Sequence, residues 1–205
     1  MHARQTEYAF RRRFLGAALI ALAAAGCGGE EEGADTALPA DTMAAADSAP
    51  AAVPAVSDPE IAAILAASDT AEIQPSQLAG QKAQNAALKE YAQRMINDHG
   101  MLSDSLAALT QANGITPAPN AMSQQIQAQT QTTLQRLQGL SGAEFDAAYA
   151  QAMADSHQQA LTSIETQLIP AAQNAQLRTA LEQKVRPAVS MHLDEIRRIQ
   201  GSLGQ

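Results

Sequence analysis

Leu88, Ala92, Met95, His99, Leu102, Leu106 and Leu109 follow one another at alternating steps of four and three residues. That spacing is the inward-facing stripe of a helix packed against other helices. Six of the seven positions are apolar or small, and the one in the middle is His99. An imidazole inside an apolar seam must find a partner or cost stability. The stretch therefore predicts a helical core with a polar group built into it.

The same pattern recurs over 58–205, about 148 residues and one ordinary domain. Ala, Leu and Gln abound and strand-like alternation is lacking, which favours an all-α fold. Helix one is expected to start at Asp58-Pro59-Glu60 and run to about Gln84, with Ile61, Leu65, Ser68, Glu72, Pro75 and Ala79 on its seam. Pro75 is expected to bend it. Asn85 caps helix two, and Asn113-Gly114 ends it. A proline-containing loop, 115–120, leads to a shorter, Gln-rich helix over 123–140 with a thin stripe of Ile126, Leu134 and Leu137.

Ser141-Gly142-Ala143-Glu144 reads as a capping box. It opens a long helix carrying Phe145, Tyr149, Met153, His157, Leu161, Ile164 and Leu168, bent or ended by Pro170. The last helix runs from about Asn174 to Gln200, with His192 on its apolar face and a kink at Pro187. Tyr91 and Tyr149 are expected at the edge of the core. Short turns place consecutive helices antiparallel, giving an up-down four-helix bundle with one extra shorter helix.

His99, His157 and His192 fall one per long helix, and the remaining long helix offers Glu72. Counted from the turns near Gln84 and Asn174, the members of each antiparallel pair differ in height by about 3 Å or less. One polar layer of a carboxylate and three imidazoles follows, a ligand set for a single transition-metal ion. A metal-free polar network that sets helix register is the competing reading. Asp98, Asp155 and Glu195 stand near the histidines and are candidates for orienting the imidazoles. Solvated helix faces are the plainer reading of each. A mononuclear oxidoreductase would need an open coordination position, which a sequence cannot display. No phosphate-binding or dinucleotide-binding glycine motif is present, and no serine nucleophile motif is found. Catalysis has no visible constellation here.

The N-terminal part carries different information. Arg11-Arg12-Arg13-Phe14-Leu15 fits a twin-arginine export signal, and Gly16 to Gly26 is an apolar stretch too short to span a bilayer. Ala24-Ala25-Gly26-Cys27 resembles a bacterial lipobox. Cys27 is the single cysteine, which excludes an internal disulfide and a thiolate cluster, and its position makes it the lipid acceptor. Residues 1–26 then form a removable signal peptide. Residues 27–57, acidic and rich in Ala and Pro, form a disordered tether without Lys or Arg. The chain has a net charge of −8, and loss of the basic signal leaves about −11. That charge, with no basic patch, excludes nucleic acid as a partner. The expected partner is a membrane, reached through the lipid on Cys27. Gly28 after the cysteine does not favour retention at the inner membrane, so the expected place is the periplasmic side of the envelope, anchored to the outer membrane.

Several segments together resemble one family. They are Ala71-Glu72-Ile73 with Gln77-Leu78-Ala79, Met95-Ile96-Asn97-Asp98-His99, Leu140-Ser141-Gly142 with Phe145-Asp146-Ala147-Ala148-Tyr149, Met153-Ala154-Asp155-Ser156-His157, and Arg186-Pro187 with His192-Leu193. The chain is similar to a large bacterial family of exported domains of unknown function, often labelled "predicted outer membrane protein". The resemblance implies a ferritin-like fold and marks Glu72, His99, His157 and His192 as typical polar positions. It implies no activity. Ile96, Ala154 and Val189 stand three residues before the histidines, so the E-x-x-H pairs of di-iron carboxylate proteins are missing. Ser156 separates Asp155 from His157 where relatives often carry an adjacent Asp-His pair.

Overall fold

The computed structural model describes residues 56–203. The expected export signal, the expected lipid acceptor Cys27 and nearly all of the expected tether lie outside the described residues. Among the described residues the chain is helical throughout, in five helices and without a strand. They are α1 (Asp58–Lys82), α2 (Ala86–Ala112), α3 (Ala121–Gln138), α4 (142–171) and α5 (175–202).

The caps explain where the helices begin, and they differ in detail from the expected ones. α1 starts one residue early: Ser57 is its cap, and Glu60 accepts hydrogen bonds from the Ser57 N–H (2.9 Å) and hydroxyl (2.7 Å). Asp58 is thereby released for another task. Its carboxylate accepts the N–H groups of Gln173 (2.9 Å) and Asn174 (2.8 Å) in the turn between α4 and α5. At the opposite end, Asp146 accepts from the N–H groups of Gln84 and Asn85 in the turn between α1 and α2. Both turns carry the sequence A-Q-N-A-x-L, at 83–88 and 172–177. In each, the Asn side chain caps the following helix, Asn85 on Leu88 N–H and Asn174 on Leu177 N–H. Two helical hairpins are thus latched to each other at both ends by the same device.

Ser141 stands at the start of α4, but its side chain makes no capping bond, so the expected S-x-x-E box is not formed. Gly142 takes φ +60°, a conformation that favours glycine and turns the chain abruptly into the helix. The Gln-rich helix starts at Asn120 rather than Ser123; the two residues cap reciprocally, Asn120 Oδ1 on the Ser123 N–H and Ser123 Oγ on the Asn120 N–H.

The prolines act through the hydrogen-bond ladder. A wide π-turn, Ile164–Leu168, precedes Pro170, and another, Leu181–Val185, precedes Pro187. A proline lacks its N–H and its ring clashes with the carbonyl four residues back. Shifting that turn to i→i+5 bonding accommodates both defects and lets the helix continue. Ile169 N–H accordingly bonds Ile164 O, and Arg186 N–H bonds Leu181 O. Pro75 stays inside a regular stretch of α1.

α1, α2, α5 and α4 pack in cyclic order, each against two others. The latches fix their directions: the start of α1 meets the α4–α5 turn, and the start of α4 meets the α1–α2 turn. Neighbours in the ring are therefore antiparallel. α2 and α4 run in the same direction, so the chain must return between them, and α3 is that return. It lies across α1 and α4 on the outside of the ring. Lys82 Nζ ties it down, bonding Leu137 O (3.1 Å) and Gln138 O (2.7 Å) at its C-terminus.

The core has two halves. One is built around Leu88, Tyr91, Met95, Phe145, Tyr149 and Met153. The other is built around Ile61, Ile64, Ile164, Leu168, Leu177 and Leu181. Tyr91 and Tyr149 are 0% exposed, at the centre rather than the edge. With no tryptophan and three phenylalanines in the chain, they are the largest fully buried side chains available. Tyr149 stacks on Phe145 with ring centroids 6.2 Å apart and shares a 2.8 Å hydrogen bond with Ser76.

Candidate metal centre

Between the two halves lie His99 of α2, His157 of α4 and His192 of α5, all buried. Their ring centroids form a nearly equilateral triangle with sides of 5.8 Å (99–157), 5.4 Å (99–192) and 5.5 Å (157–192). One nitrogen from each ring lies within 4.8 Å of the others. The height count survives the π-turns for a simple reason. One such turn lies between His157 and the α4–α5 turn and one between that turn and His192, so the two inserted residues offset each other.

Every ring has one nitrogen engaged. His99 Nδ1 faces Asp69 Oδ1 at 2.9 Å, His157 Nδ1 faces Met153 O at 2.9 Å, and His192 Nε2 faces Asp98 Oδ2 at 2.9 Å. All three partners are acceptors, so the engaged nitrogen of each ring carries the proton. The opposite nitrogens, His99 Nε2, His157 Nε2 and His192 Nδ1, are buried without a hydrogen-bond partner. In the neutral ring each of these presents a lone pair. Three unpartnered nitrogens on rings that pack in one triangle, each ring backed by a hydrogen bond that sets its tautomer and orientation, match what a histidine metal site requires. A self-contained polar network would engage the second nitrogen of each ring as well.

Burial, together with the two nearby imidazoles, pushes the His192 pKa down to about 4 in spite of its bond to Asp98. His99 behaves oppositely. Burial opposes its charge, but the hydrogen bond it donates to Asp69 and the carboxylates of Glu72, Asp69 and Asp98 outweigh that, and its pKa is raised.

Glu72 sits beside the triangle rather than in it. Its Oε1 accepts a short hydrogen bond from Ser156, and its Oε2 lies 3.5 Å from His157 Nδ1, the engaged side of that ring. Of the other residues named near the site, Asp98 bonds His192 across the helix pair rather than its own neighbour His99. Glu195 pairs with Arg94 at 3.2 Å, and Asp155 accepts from Gln151 on an exposed face. Sequence reasoning passed over Asp69, the buried partner of His99, whose second oxygen accepts from Ser103 at 2.9 Å. Asp69 lies three residues before Glu72, on the same side of α1. The height count does not choose between them: Asp69 lies 16 residues and Glu72 13 before Asn85, against 14 after it for His99, and both fall within about one helical turn of the ring. Ser156 was read only as a departure from an Asp-His pair.

A cavity of about 210 Å³ adjoins the triangle under α3. Its inner end is formed by Asp69, Glu72, His99 and His157, and its walls include Ile64, Ile126, Ile164, Leu168 and Val189. A second cavity of about 210 Å³ lies toward α2 and α5, sharing Leu65, Asp69, Leu102 and Val185 with the first. Residues of both π-turns line this space.

No curated protein and no solved structure matches this chain. A family profile does, over residues 42–199, and it covers the whole helical domain up to the last turn of α5. The chain belongs to the family described as domain of unknown function DUF4142.

Proposed function

We propose that this protein is an exported, lipid-anchored helical bundle that holds one divalent transition-metal ion at His99, His157 and His192, in a binding or stress-protection role at the cell envelope. The observation that carries the reading is the triangle of buried imidazoles, each with one unpartnered ring nitrogen, in which one nitrogen of each ring lies within 4.8 Å of the others. Left unmet, each such nitrogen costs about 1–3 kcal/mol. A metal at about 2.0–2.1 Å from each would meet all three. The carboxylates of Asp69 and Asp98, bonded to two of the rings, would balance the charge of a divalent ion. Three histidines leave a fourth coordination position, the feature that separates reactive from purely structural sites. An oxidoreductase role stays subordinate, since no substrate-directed acid or base is evident.

The connection of α2 to α4 through α3 is the one-crossover arrangement of ferritin-like bundles, and we assign that fold on this ground. Export rests on the twin-arginine pattern and anchoring on Cys27. Among the described residues no helix is long and apolar enough to cross a membrane, so attachment would rest on the acyl chains.

Elemental analysis of the full chain, purified without a histidine tag, is the first test. About one equivalent of a transition metal, lost in the His99→Ala/His157→Ala double variant, is the expected result. No metal in either protein, with reconstitution also failing, would leave the metal-free polar layer. For the anchor, Cys27→Ser is expected to move the protein from the membrane fraction to the soluble one and to abolish labelling by a fatty-acid probe.

A further inference from the structure

We propose that the cavity beside the histidines binds a small neutral molecule of single-ring size, through a hydroxyl group that donates a hydrogen bond to Glu72. This site uses the cavity and Glu72, not the three ring nitrogens, so it does not depend on an ion being bound.

The size of the ligand follows from the volume. A cavity of about 150 Å³ with apolar walls accommodates benzene; this one is about 210 Å³, with Ile, Leu and Val side chains forming much of its lining and Ser and Gln side chains set among them. The hydroxyl follows from what the inner end lacks. Both oxygens of Asp69 are occupied, by His99 and Ser103. Glu72 Oε1 is occupied by Ser156, but Glu72 Oε2 is buried without a donor, and Glu72 itself is 3% exposed. Its nearest polar neighbour, His157 Nδ1 at 3.5 Å, sends its proton to Met153 O. The terminal torsion of a carboxylate is soft, so either oxygen can meet the ligand while the other keeps Ser156.

A hydrocarbon would leave that oxygen unpaired, and an ammonium group would have to shed its hydration to enter apolar walls. A neutral hydroxyl avoids both costs. It would also come to rest next to His99 and His157, so a bound ion would have this ligand as its neighbour.

The test titrates the full chain, metal-free and metal-loaded, with phenol and with toluene, followed by calorimetry. One saturable phenol site is expected, at least about tenfold tighter than toluene, since a hydrogen bond to a charged group supplies that factor. Glu72→Ala is expected to remove the preference for phenol and leave toluene binding in place. Ala160→Phe, which projects a ring into the cavity, is expected to abolish binding of both while preserving melting temperature and metal content. Ile126→Trp, placed on the outer helix α3, serves as the second blocking variant. Absence of saturable phenol binding, equal affinity for the two probes, or phenol binding that survives both blocking variants would overturn the proposal. Phenol binding in a chain that takes up no metal would defeat the metal reading alone, and metal uptake without phenol binding would defeat this one alone.

Discussion

Asp69 and Asp98 each hold one imidazole of the triangle, at 2.9 Å, from a helix other than that of the ring they hold. Removing such a partner frees the ring to rotate and lowers its basicity. Asp69→Ala is therefore expected to weaken metal binding by about 10–100-fold, measured by chelator competition. The histidines also set a pH dependence for the metal-free protein. His192 titrates near 4 in the fold, below the ordinary histidine value of about 6.5 in the unfolded chain. The unfolded chain binds the extra proton between these limits, so stability is full above about 6.5 and falls as the pH drops toward 4. The slope is at most about 1.4 kcal/mol per pH unit. His99, with its raised pKa, holds its proton in both states through most of that window and adds little slope there; above about 6.5 its contribution has the opposite sign, since the unfolded chain releases the proton first. Denaturant melts of the metal-free chain between pH 7 and 4 are expected to show this loss, and His192→Phe is expected to flatten it.

At the scale of the helix, the two aspartates that latch the hairpins are the most exacting test. Asp58 and Asp146 each accept two backbone N–H groups of a turn that belongs to the other hairpin. Replacement of either by Ala is expected to cost about 1–2 kcal/mol, the loss seen at helix caps. For a domain of this size that lowers the melting temperature by roughly 2–4 °C per kcal/mol. The latches lie at opposite ends of a bundle about 37 Å long, as a 25-residue helix implies. Their effects in the double variant are expected to add to within about 0.5 kcal/mol. Strong non-additivity in thermal melts would mean that the ends communicate through the core.

For the molecule as a whole, the triangle of histidines joins three helices, so an ion held there would cross-link the bundle between its two core halves. Metal at about a hundred times its dissociation constant would add about 2.7 kcal/mol to stability. Chelation is then expected to lower the melting temperature by about 5–11 °C, read by calorimetry. The His99→Leu/His157→Leu variant separates the two readings of the layer. Replacing a metal-free polar layer by apolar side chains is expected to leave the melting temperature unchanged or raise it. Loss of a bound ion is expected to lower it only relative to the loaded parent.

Much of this architecture is local and therefore legible in the chain. Apolar stripes at steps of three and four, the caps Asn85 and Asn113-Gly114, and prolines at fixed places determine five helices and their approximate bounds. Composition and those turns determine an all-helical domain with a histidine on the inner face of each of three helices. The partners of those histidines were decided only by packing. Asp69 and Glu72 are three residues apart on one face of α1, and small differences in helix level give Asp69 to His99 and leave Glu72 with Ser156. Asp58 reads as an ordinary helix start and nothing local marks Asp146 as a latch, because the turns they hold lie 115 and 62 residues away along the chain. The widening of the helix ahead of Pro170 and Pro187 is likewise a tertiary outcome. A proline can end, kink or widen a helix, and continuous burial of Leu168, Leu181 and Val189 against the opposite hairpin selects the response that keeps the helix intact.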